Sequence, residues 1–347
     1  MTRVSVVIPC FTEERWEEIV RAVESALDQT HPCEVRVVVD HNDLLLERLR
    51  RALGPRDVRV EANRYARGAS GGRNTGAESA EGDLVVFLDD DEVAMPDWIE
   101  NLVRAHRSAP GAVGLGGAVE ARWPGGPPRW FPEEFSWAVG GTAPRSEDTD
   151  VRNVWGGNMA VRRDSFLAAG GFATDFGKVG HASQPEDTEL CLRMNARAGA
   201  GARWRFVPGA VIWHEVPRDR RTFSFFLRRT WSEGAGKRVM ATLSGADRGT
   251  LAEEHSFVRT VLTRGVAHHL LAVLRGDLGG LARAGATVLG VASAALGYLS
   301  VAATSALRAG PGNDPGRKGA RRPLASAPQA EPSTGARPDA EQRRTGT

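Results

Sequence analysis

The chain of 347 residues has few cysteines and almost no net charge. Its three cysteines, Cys10, Cys33 and Cys191, cannot all pair within one chain, and no Cys-x-x-Cys motif or His/Cys cluster surrounds them. This pattern predicts a reducing compartment and argues against a disulfide scaffold or a zinc knuckle. The 45 Lys and Arg against 43 Asp and Glu leave a net charge of +2. We therefore expect no nucleic-acid partner, because dedicated nucleic-acid binders need a strong positive excess.

Long uncharged stretches are also scarce. The apolar run at residues 4–8 is short and lacks a small-residue cleavage site, so it predicts a buried strand and not a signal peptide. We therefore expect the catalytic part in the cytoplasm. One uncharged span, residues 284–307, is 24 residues long, which is enough to cross a bilayer. Its Ala, Gly, Ser and Thr content makes insertion marginal, so a spanning helix, a helix on the membrane surface and a soluble helix pair stay open.

The first hundred residues alternate between strand-like and helix-like patterns. Four apolar, β-branched runs lie at residues 4–8, 35–39, 58–60 and 84–88. The segments between them carry apolar residues at helical spacing, which predicts βαβ units and a mainly parallel sheet covered on both faces. Ligands bind such sheets beyond the carboxyl ends of the strands. The sequence places Asp40 and the run Asp89–Glu92 at such ends.

Four consecutive carboxylates follow the fourth run: Asp89, Asp90, Asp91 and Glu92. Because carboxylates repel one another, such a cluster needs a cation or solvent nearby. Oxygen ligands suit Mg²⁺ or Mn²⁺, which commonly bridge carboxylates to a diphosphate. Alternation along an extended segment would place Asp89 and Asp91 on the same side. The alternative is a solvated strand end or a helix N-cap cluster.

Two later segments have a distinct composition. Residues 218–238 are strongly basic with interleaved aromatics, which is typical of a solvated helix face or of docking to an anionic lipid or polyprenyl phosphate. The segment 310–347 is rich in Pro, Gly, Ala, Ser and Arg, and we predict that it is disordered because it cannot bury a core.

Five segments resemble those of glycosyltransferase family 2, and the resemblance covers roughly residues 4–230. They are VVIPCFTE at residues 6–13, VVVD at 37–40, GASGGRNTG at 68–76, FLDDD at 87–91 and PEDTEL at 185–190. The resemblance implies an α/β fold of the GT-A type, the Rossmann-like fold of nucleotide-diphospho-sugar transferases. We expect a mixed, mainly parallel sheet with flanking helices, followed by C-terminal membrane-associating helices.

The resemblance also implies an inverting transfer from a nucleotide-diphosphate sugar, most often UDP-linked, with Mn²⁺ or Mg²⁺ as cofactor. Asp40 would accept a hydrogen bond from the uracil N–H. Asp91 and Asp89, with His214, would hold the cation that neutralises the diphosphate leaving group. The expected donor-binding residues are Pro9, Phe11, Glu13, Asp40, Arg73, Asp89 and Asp90. The glycines of residues 68–76 fit a loop whose backbone closely approaches the ligand.

On the acceptor side, Asp187 is the candidate general base. An inverting transfer needs a carboxylate on the far side of the anomeric carbon to take the proton of the attacking hydroxyl. An N-cap pair at a helix start is the alternative for Glu186 and Asp187. Trp155, Gly157, Asn158 and Glu186 are expected near the sugar and the acceptor, although Trp155 equally suits a core position.

The sequence predicts single-sugar transfer to a hydroxyl acceptor, in particular a lipid-linked saccharide at the inner face of the cell membrane. Residues 228–231 lack the Gln-x-x-Arg-Trp element of processive synthases. A soluble enzyme that glycosylates a secondary metabolite and a catalytically silent, membrane-bound assembly protein are the alternatives. The expected division is a nucleotide-sugar half at 1–115, an acceptor half with the base at 116–240, a membrane-associated helical region at 241–309 and a tail at 310–347.

Overall fold

The structure, a computed structural model, describes residues 2–142, 147–174, 178–179, 182–183, 186–243 and 257–308. The tail 310–347, which we predict to be disordered, and Pro185, the first residue of the fifth family segment, lie outside these residues. Met1–Thr304 form one compact unit, and of a second unit, Ser305–Thr347, only the end of one helix is described. The division of the chain at residues 115, 240 and 309 stays a prediction.

The strands and helices alternate through most of the chain. The strands are β1 Val4–Cys10, β2 Glu34–Val39, β3 Val58–Ala62, β4 Leu84–Phe87, β5 Glu92–Ala94, β6 Gly114–Arg122, β7 Thr149–Val151, β8 Met159–Arg162, β9 Lys178–Val179, β10 Ala182–Ser183 and β11 Trp204–Glu215. The helices are α1 Trp16–Leu27, α2 Asp43–Leu53, α3 Ala69–Ser79, α4 Trp98–Ser108, α5 Arg163–Ala168, α6 Glu186–Ala198, α7 Phe223–Leu243, α8 Val266–Leu274 and α9 Gly279–Arg308.

The strands of the main sheet follow the order β3-β2-β1-β4-β8-β6-β11-β5, with β7 beside β11. Strands β1 to β4 pair in parallel, and β11 pairs in parallel with β6. Strand β8 is antiparallel to both of its neighbours, and β5 and β7 are antiparallel to β11. This is the mixed, mainly parallel sheet that the alternation predicts, and the four strands predicted in the first hundred residues are confirmed.

Helix α1 illustrates why the flanking helices form. Its buried residues are Ile19, Ala22, Val23 and Ala26. They recur at helical spacing and so form one apolar face, which joins the core cluster of strands β1 and β2. Glu17 and Glu18 lie in its first turn, where the helix dipole favours negative charge. The apolar spacing of this segment therefore determines both the helix and the side that faces the sheet.

The glycine-rich segment 68–76 forms helix α3, and the prediction of a ligand-approaching loop is wrong for most of it. Gly68 precedes the helix with a φ of +139°, a conformation that favours glycine. Inside the helix, a side chain on Gly76 would collide with Val7 of strand β1. A Cβ on Gly72 would lie 3.0 Å from Cβ of Pro9. These glycines therefore serve close packing of helix on sheet.

The C-terminal helices cover a separate aromatic core. Phe131, Phe135, Phe226 and Val261 are buried in one cluster, against which Trp130 and Phe223 pack. The rings of Phe135 and Phe226 are 5.2 Å apart and nearly perpendicular, a favourable aromatic geometry. Helix α9 lies on this cluster through Gly290, where a Cβ would be 2.7 Å from the Phe226 ring. The basic stretch 218–238 begins with a 3₁₀ turn, Arg218–Arg221, and continues as α7.

Candidate active site

Asp40 ties together three loops at the carboxyl end of the parallel strands. It directly follows β2, and its backbone N–H donates to the carbonyl of Cys10 at the end of β1 across 2.7 Å. Its carboxylate accepts hydrogen bonds from Asn63 Nδ2 at 2.7 Å and from the Gly68 N–H at 2.9 Å. His41 Nδ1 lies 2.8 Å from the same carboxylate. Asp40 therefore lies at the carboxyl end of β2, as the sequence predicts, and ligand binding at this end stays a prediction.

The loop after β1 lies beside Asp40. Phe11 is exposed, and the Arg15 guanidinium carbon lies 5.7 Å from the centre of its ring. Asn42 Nδ2 donates to Glu13 Oε2 at 2.9 Å and to the Phe11 carbonyl at 3.1 Å. Pro9 is buried within β1. The loop therefore presents one uncovered aromatic face, which is held in place by the start of helix α2.

The carboxylate run forms a turn between β4 and β5, not the extended segment that the sequence suggested. The Glu92 N–H donates to the Asp89 carbonyl at 3.2 Å, and the Asp89 N–H donates to Glu92 Oε2 at 3.1 Å. Burial raises the pKa of Glu92 well above its ordinary value. The turn, and not strand alternation, therefore determines where Asp89 and Asp91 point.

Arg15 neutralises part of this cluster. Its Nη1 lies 2.8 Å from Asp90 Oδ1 and 3.2 Å from Asp91 Oδ2. Burial raises the pKa of Asp90 to about 7, and the Arg15 charge opposes that rise. Asp90 Oδ2 is buried and has no hydrogen-bond partner within the described residues. Sequence reasoning did not select Arg15, although a buried acidic cluster requires a nearby cation and the loop after β1 offers this arginine.

His214 enters the same region from β11. The antiparallel pairing of β11 with β5 places it opposite Glu92, one residue beyond Asp91. The residue is 4% exposed, and neither ring nitrogen has a hydrogen-bond partner among the described residues. Burial lowers the pKa of His214, while the charges of Asp91 and Asp89 oppose that change. The lowered pKa favours the neutral ring, which carries a free lone pair near these carboxylates.

A metal cage is not fully assembled in the described part of the chain, where no three His, Cys, Asp or Glu side chains converge for a metal ion. Arg73 contacts Asp89, and Arg15 contacts Asp91. The donor set of two carboxylates and one imidazole nevertheless suits Mn²⁺ or Mg²⁺. The unpartnered buried imidazole of His214 is the observation that makes these residues fit a cation.

Arg73 of helix α3 connects the acidic turn to helix α6. Its Nη2 lies 2.5 Å from Asp89 Oδ1, and its Nη1 lies 3.4 Å from Glu186 Oε1. The side chain is buried, and its guanidinium carbon lies 5.3 Å from the centre of the Phe172 ring. A guanidinium stays charged even in the interior, so the surrounding carboxylates offset the cost of burying this cation.

Asp187 lies in the first turn of α6. Its Oδ1 accepts a hydrogen bond from the Thr188 N–H at 2.7 Å, and its Oδ2 accepts one from the Gly156 N–H at 3.4 Å. Burial raises the pKa of Asp187, and these two backbone donors oppose the rise. Burial also raises the pKa of Glu186, against the opposing charge of Arg73. The carboxylate of Asp187 is thus oriented by backbone donors and is more basic than an ordinary aspartate.

The 3₁₀ turn Gly156–Asn158 fits between these groups. A Cβ on Gly157 would lie 2.9 Å from Asp89 Oδ2 and would collide with Glu92, so a side chain at this position would displace both carboxylates. Asn158 is fully buried and donates to the carbonyls of Ala118 and Ala210 at 3.0 Å. Its side-chain oxygen also accepts a hydrogen bond from Trp98 Nε1 at 2.8 Å. Both the nitrogen and the oxygen of this amide are therefore hydrogen-bonded to protein groups.

The structure brings most of the predicted residues into one place. Ion pairs join Arg73 to Asp89 and Glu186, and Glu92 is hydrogen-bonded to Asp89. Asp187 and Gly157 lie beside this group, as do Asp91 and His214. Asp40, Phe11 and Glu13 form the neighbouring loop cluster. Trp155 is partly buried and packs against the main core, which is the core position that the sequence allowed as its alternative to a place beside the sugar. Asn63 also belongs here and was not selected, because its contact with Asp40 depends on tertiary structure. Glu92 was named in the acidic run, without a role of its own.

The chain is similar to known glycosyltransferases. The profile described as "Glycosyl transferase family 2" matches residues 5–168. A glucosyl-dolichyl phosphate glucuronosyltransferase of Haloferax volcanii is 38% identical over 248 residues, which are 70% of this chain and 78% of the relative.

Two solved structures share the fold. GalNAc-T7 with UDP, GalNAc and Mn²⁺ superposes with a TM-score of 0.50 at 19% identity, over 74% of this chain and 54% of that one. This chain therefore spans about half of that protein. The Pyrobaculum calidifontis mannosyltransferase PcManGT, in complex with GDP-Man and Mn²⁺, superposes with a TM-score of 0.50 at 21% identity, over 89% and 79% of the two chains.

Proposed function

The chain belongs to glycosyltransferase family 2, and on this basis we propose that it transfers one sugar, with inversion, from a nucleotide-diphosphate sugar to a hydroxyl of a lipid-linked saccharide. The carrying observation is that buried Arg73 joins Asp89, at the donor end of the sheet, to Glu186, the neighbour of Asp187. Donor-side and acceptor-side carboxylates thus meet in one site. The name of the Haloferax volcanii relative, a glucuronosyltransferase of glucosyl-dolichyl phosphate, supports the acceptor class.

We assign the nucleotide to the cluster around Asp40. The carboxylate that Asn63 and Gly68 hold would accept the N–H of a uracil ring, and the uncovered face of Phe11 would stack on the base. Pro9 and Glu13 would shape this loop. This contact suits UDP-linked donors, because the Asp40 carboxylate is an acceptor and the ring of uracil presents an N–H donor; thymine presents the same N–H, and cytosine does not.

We assign the divalent cation to Asp91, Asp89 and His214. When bound, the cation neutralises the charge that the departing diphosphate develops. The chain holds these groups by the turn between β4 and β5 and by the pairing of β11 with β5. The ion pair between Asp90 and Arg15 stabilises this turn. Arg73 holds Asp89 in place and adds positive charge beside the diphosphate.

We assign the general base to Asp187. The acceptor hydroxyl oxygen attacks the anomeric carbon while its proton passes to the Asp187 carboxylate, and the bond from the anomeric carbon to the diphosphate oxygen breaks. The nucleoside diphosphate leaves, and the configuration at the anomeric carbon inverts. Backbone donors from Thr188 and Gly156 orient the base. Glu186, Gly157, Trp155 and Asn158 would shape the sugar and acceptor side.

We place the enzyme at the inner face of the cell membrane. A lipid-linked acceptor lies in the bilayer, and residues 279–301 of helix α9 are long and apolar enough to cross one, with a mean hydropathy of 1.6. The free cysteines Cys10, Cys33 and Cys191 favour the inner face, because unpaired thiols are typical of a reducing compartment.

The test is donor binding and hydrolysis with UDP-, GDP- and dTDP-sugars, in Mn²⁺, in Mg²⁺ and in chelator. We expect metal-dependent binding of a UDP-sugar that Asp91→Ala abolishes and Asp187→Asn retains. Asp83→Asn is the matched control, because Asp83 is exposed and pairs with Arg3. Transfer is then measured on polyprenyl-phosphate-linked sugars and on water-soluble hydroxyl compounds. Absence of sugar-nucleotide binding by folded protein would refute the enzyme assignment, and transfer to soluble acceptors alone would refute the lipid-linked one.

A further inference from the structure

Exposed apolar side chains concentrate on the C-terminal helices. Of the fourteen large apolar side chains exposed in the described residues, ten lie between residues 262 and 299. We define the leucine face as Leu271, Leu274, Leu278, Leu281, Leu289 and Leu296. Leu274, Leu278 and Leu281 are 83%, 77% and 65% exposed and lie around the bend between α8 and α9. A patch of this kind on a folded chain marks an interaction surface.

The opposite face of α9 packs on the protein through small residues. A side chain on Gly280 would collide with the His269 carbonyl of α8, and one on Gly297 would collide with the Trp231 carbonyl of α7. Ser293 Oγ donates to the Leu227 carbonyl of α7 at 2.8 Å. The helix therefore has one face in backbone-close contact with its neighbours and the other face uncovered.

These contacts are incompatible with a spanning helix. Arg238 of α7 donates to the Tyr298 hydroxyl at 3.2 Å, and Arg229 of α7 pairs with Glu233 at 3.3 Å. If α9 crossed a bilayer with α7 attached, these charges would enter the hydrocarbon core, which is costly. If α9 left α7, the aromatic cluster beneath Gly290 would lose its cover.

The charge around the leucine face is positive. Residues 257–308 contain five arginines and one acidic residue, Asp277, which pairs with Arg283 at 2.5 Å. Arg275 is exposed between Leu274 and Leu278. Anionic lipid headgroups complement this pattern. A second copy of the chain does not, because a two-fold dimer through this face would bring the same positive groups together.

We propose that α8 and the outer face of α9 dock onto an anionic membrane leaflet, with the leucine face immersed and without spanning the bilayer. This inference deepens the proposed function, on whose lipid-linked acceptor it rests, by naming the surface that brings the enzyme to that acceptor. A short segment between strands β6 and β7 links the docked helices to the site. Gly290 of α9 lies against Phe135 in the 3₁₀ segment Glu133–Val139, and Gly140 directly after it lies against the ring of His214.

Vesicle binding by the full chain tests the docking. The probes are vesicles of phosphatidylcholine alone and of phosphatidylcholine with phosphatidylglycerol. We expect binding to the anionic vesicles that weakens with salt and is reduced at least about 100-fold in the triple variant Leu274→Glu, Leu278→Glu, Leu281→Glu, because it removes apolar immersion and adds repulsion. Leu44→Glu is the matched control, since Leu44 is 78% exposed but lies on α2. Equal vesicle binding by the triple variant would overturn the proposal.

A second measurement addresses depth and alternative partners. Alkaline carbonate should release the bound wild-type chain from the vesicles, whereas retention would overturn the non-spanning geometry. A different outcome is that the wild-type chain self-associates without binding vesicles and that the triple variant abolishes this self-association. This result would assign the leucine face to a second copy of the chain and refute membrane docking. Sugar-nucleotide binding is measured on the same variants and should be unchanged. If the wild-type chain binds the vesicles but no sugar nucleotide, the proposed function is refuted and the docking result still holds.

Discussion

Arg73 donates a hydrogen bond to Asp89 across 2.5 Å and so joins helix α3 to the turn after strand β4. Because another nitrogen of the same guanidinium reaches Glu186, one buried cation holds both sides of the site at a fixed separation. In a transfer reaction the donor carbon and the base must approach within a narrow range of distances. The arginine is therefore a positioning residue as well as a positive charge beside the leaving group.

Replacement of Arg73 is expected to reduce both activity and stability. Arg73→Met should destabilise the protein by about 3–5 kcal/mol, because it leaves buried carboxylates without their cation. The transfer rate should fall by about 100-fold or more. Arg73→Lys should recover part of the stability but less of the rate, since lysine cannot make the two-sided contact. Thermal unfolding and kcat measure the two effects, and Arg50→Met, at an exposed pair with Glu47, should change neither.

The pH dependence of transfer should report Asp187. Burial raises the pKa of this carboxyl, and a general base works only when deprotonated. Activity should therefore fall as pH decreases through a value above that of an ordinary aspartate, and the enzyme should be active above it. Asp187→Asn should lower kcat by about 10²–10⁴-fold and abolish this acidic limb while donor binding persists. An acidic limb that survives in Asp187→Asn would assign the titration to another group.

His214 should govern metal affinity. Its ring nitrogens have no protein partner in the described residues, so the side chain is free to bind the cation. We expect His214→Phe, which keeps the ring volume, to raise the Mn²⁺ concentration for half-maximal activity by roughly tenfold or more, because it removes one ligand. Titration calorimetry with Mn²⁺ and UDP gives an independent readout. His106→Phe, on helix α4, is the control, and equal Mn²⁺ affinity in the two variants would refute the ligand role.

Helix α3 should tolerate no side chain at Gly76. A methyl group there collides with Val7, so Gly76→Ala should destabilise the protein by about 1–3 kcal/mol despite the better helix propensity of alanine. Gly236→Ala in α7 is the matched change, because nothing lies within 4 Å of a Cβ at that position. It should be neutral or stabilising by up to about 1 kcal/mol. Urea denaturation of both variants distinguishes packing from propensity.

The first half of the sheet could be predicted because its strands are apolar, β-branched runs that alternate with segments of helical spacing. The functional side chains could be predicted because they directly follow these strands. Asp40 is the example, since its position after β2 already implies a ligand-binding edge. The two halves of the site meet through contacts that no local pattern encodes. His214 lies opposite Glu92 because β11 pairs with β5, a strand about 120 residues earlier in the chain, and no local pattern gives that pairing.

The polar partners were harder to predict for a physical reason. Arg15 compensates the buried carboxylate of Asp90, 75 residues away along the chain, and Arg73 the half-buried one of Asp89, 16 residues away. Their roles depend on burial, which sequence spacing does not give. The glycines of α3 likewise match a loop and a packed helix equally well by composition, and only the proximity of Val7 and Pro9 decides between them.

The aromatic cluster beneath α9 has a practical consequence for handling the protein. Hydropathy alone would recommend a shortened chain that ends before Gly279 as a water-soluble form. Such a chain would lose the exposed leucines of α9 but would expose the core residues Phe135 and Phe226. Such a form should collect in inclusion bodies. The intact chain in mild detergent or a lipid nanodisc is therefore the suitable sample for purification and crystallisation.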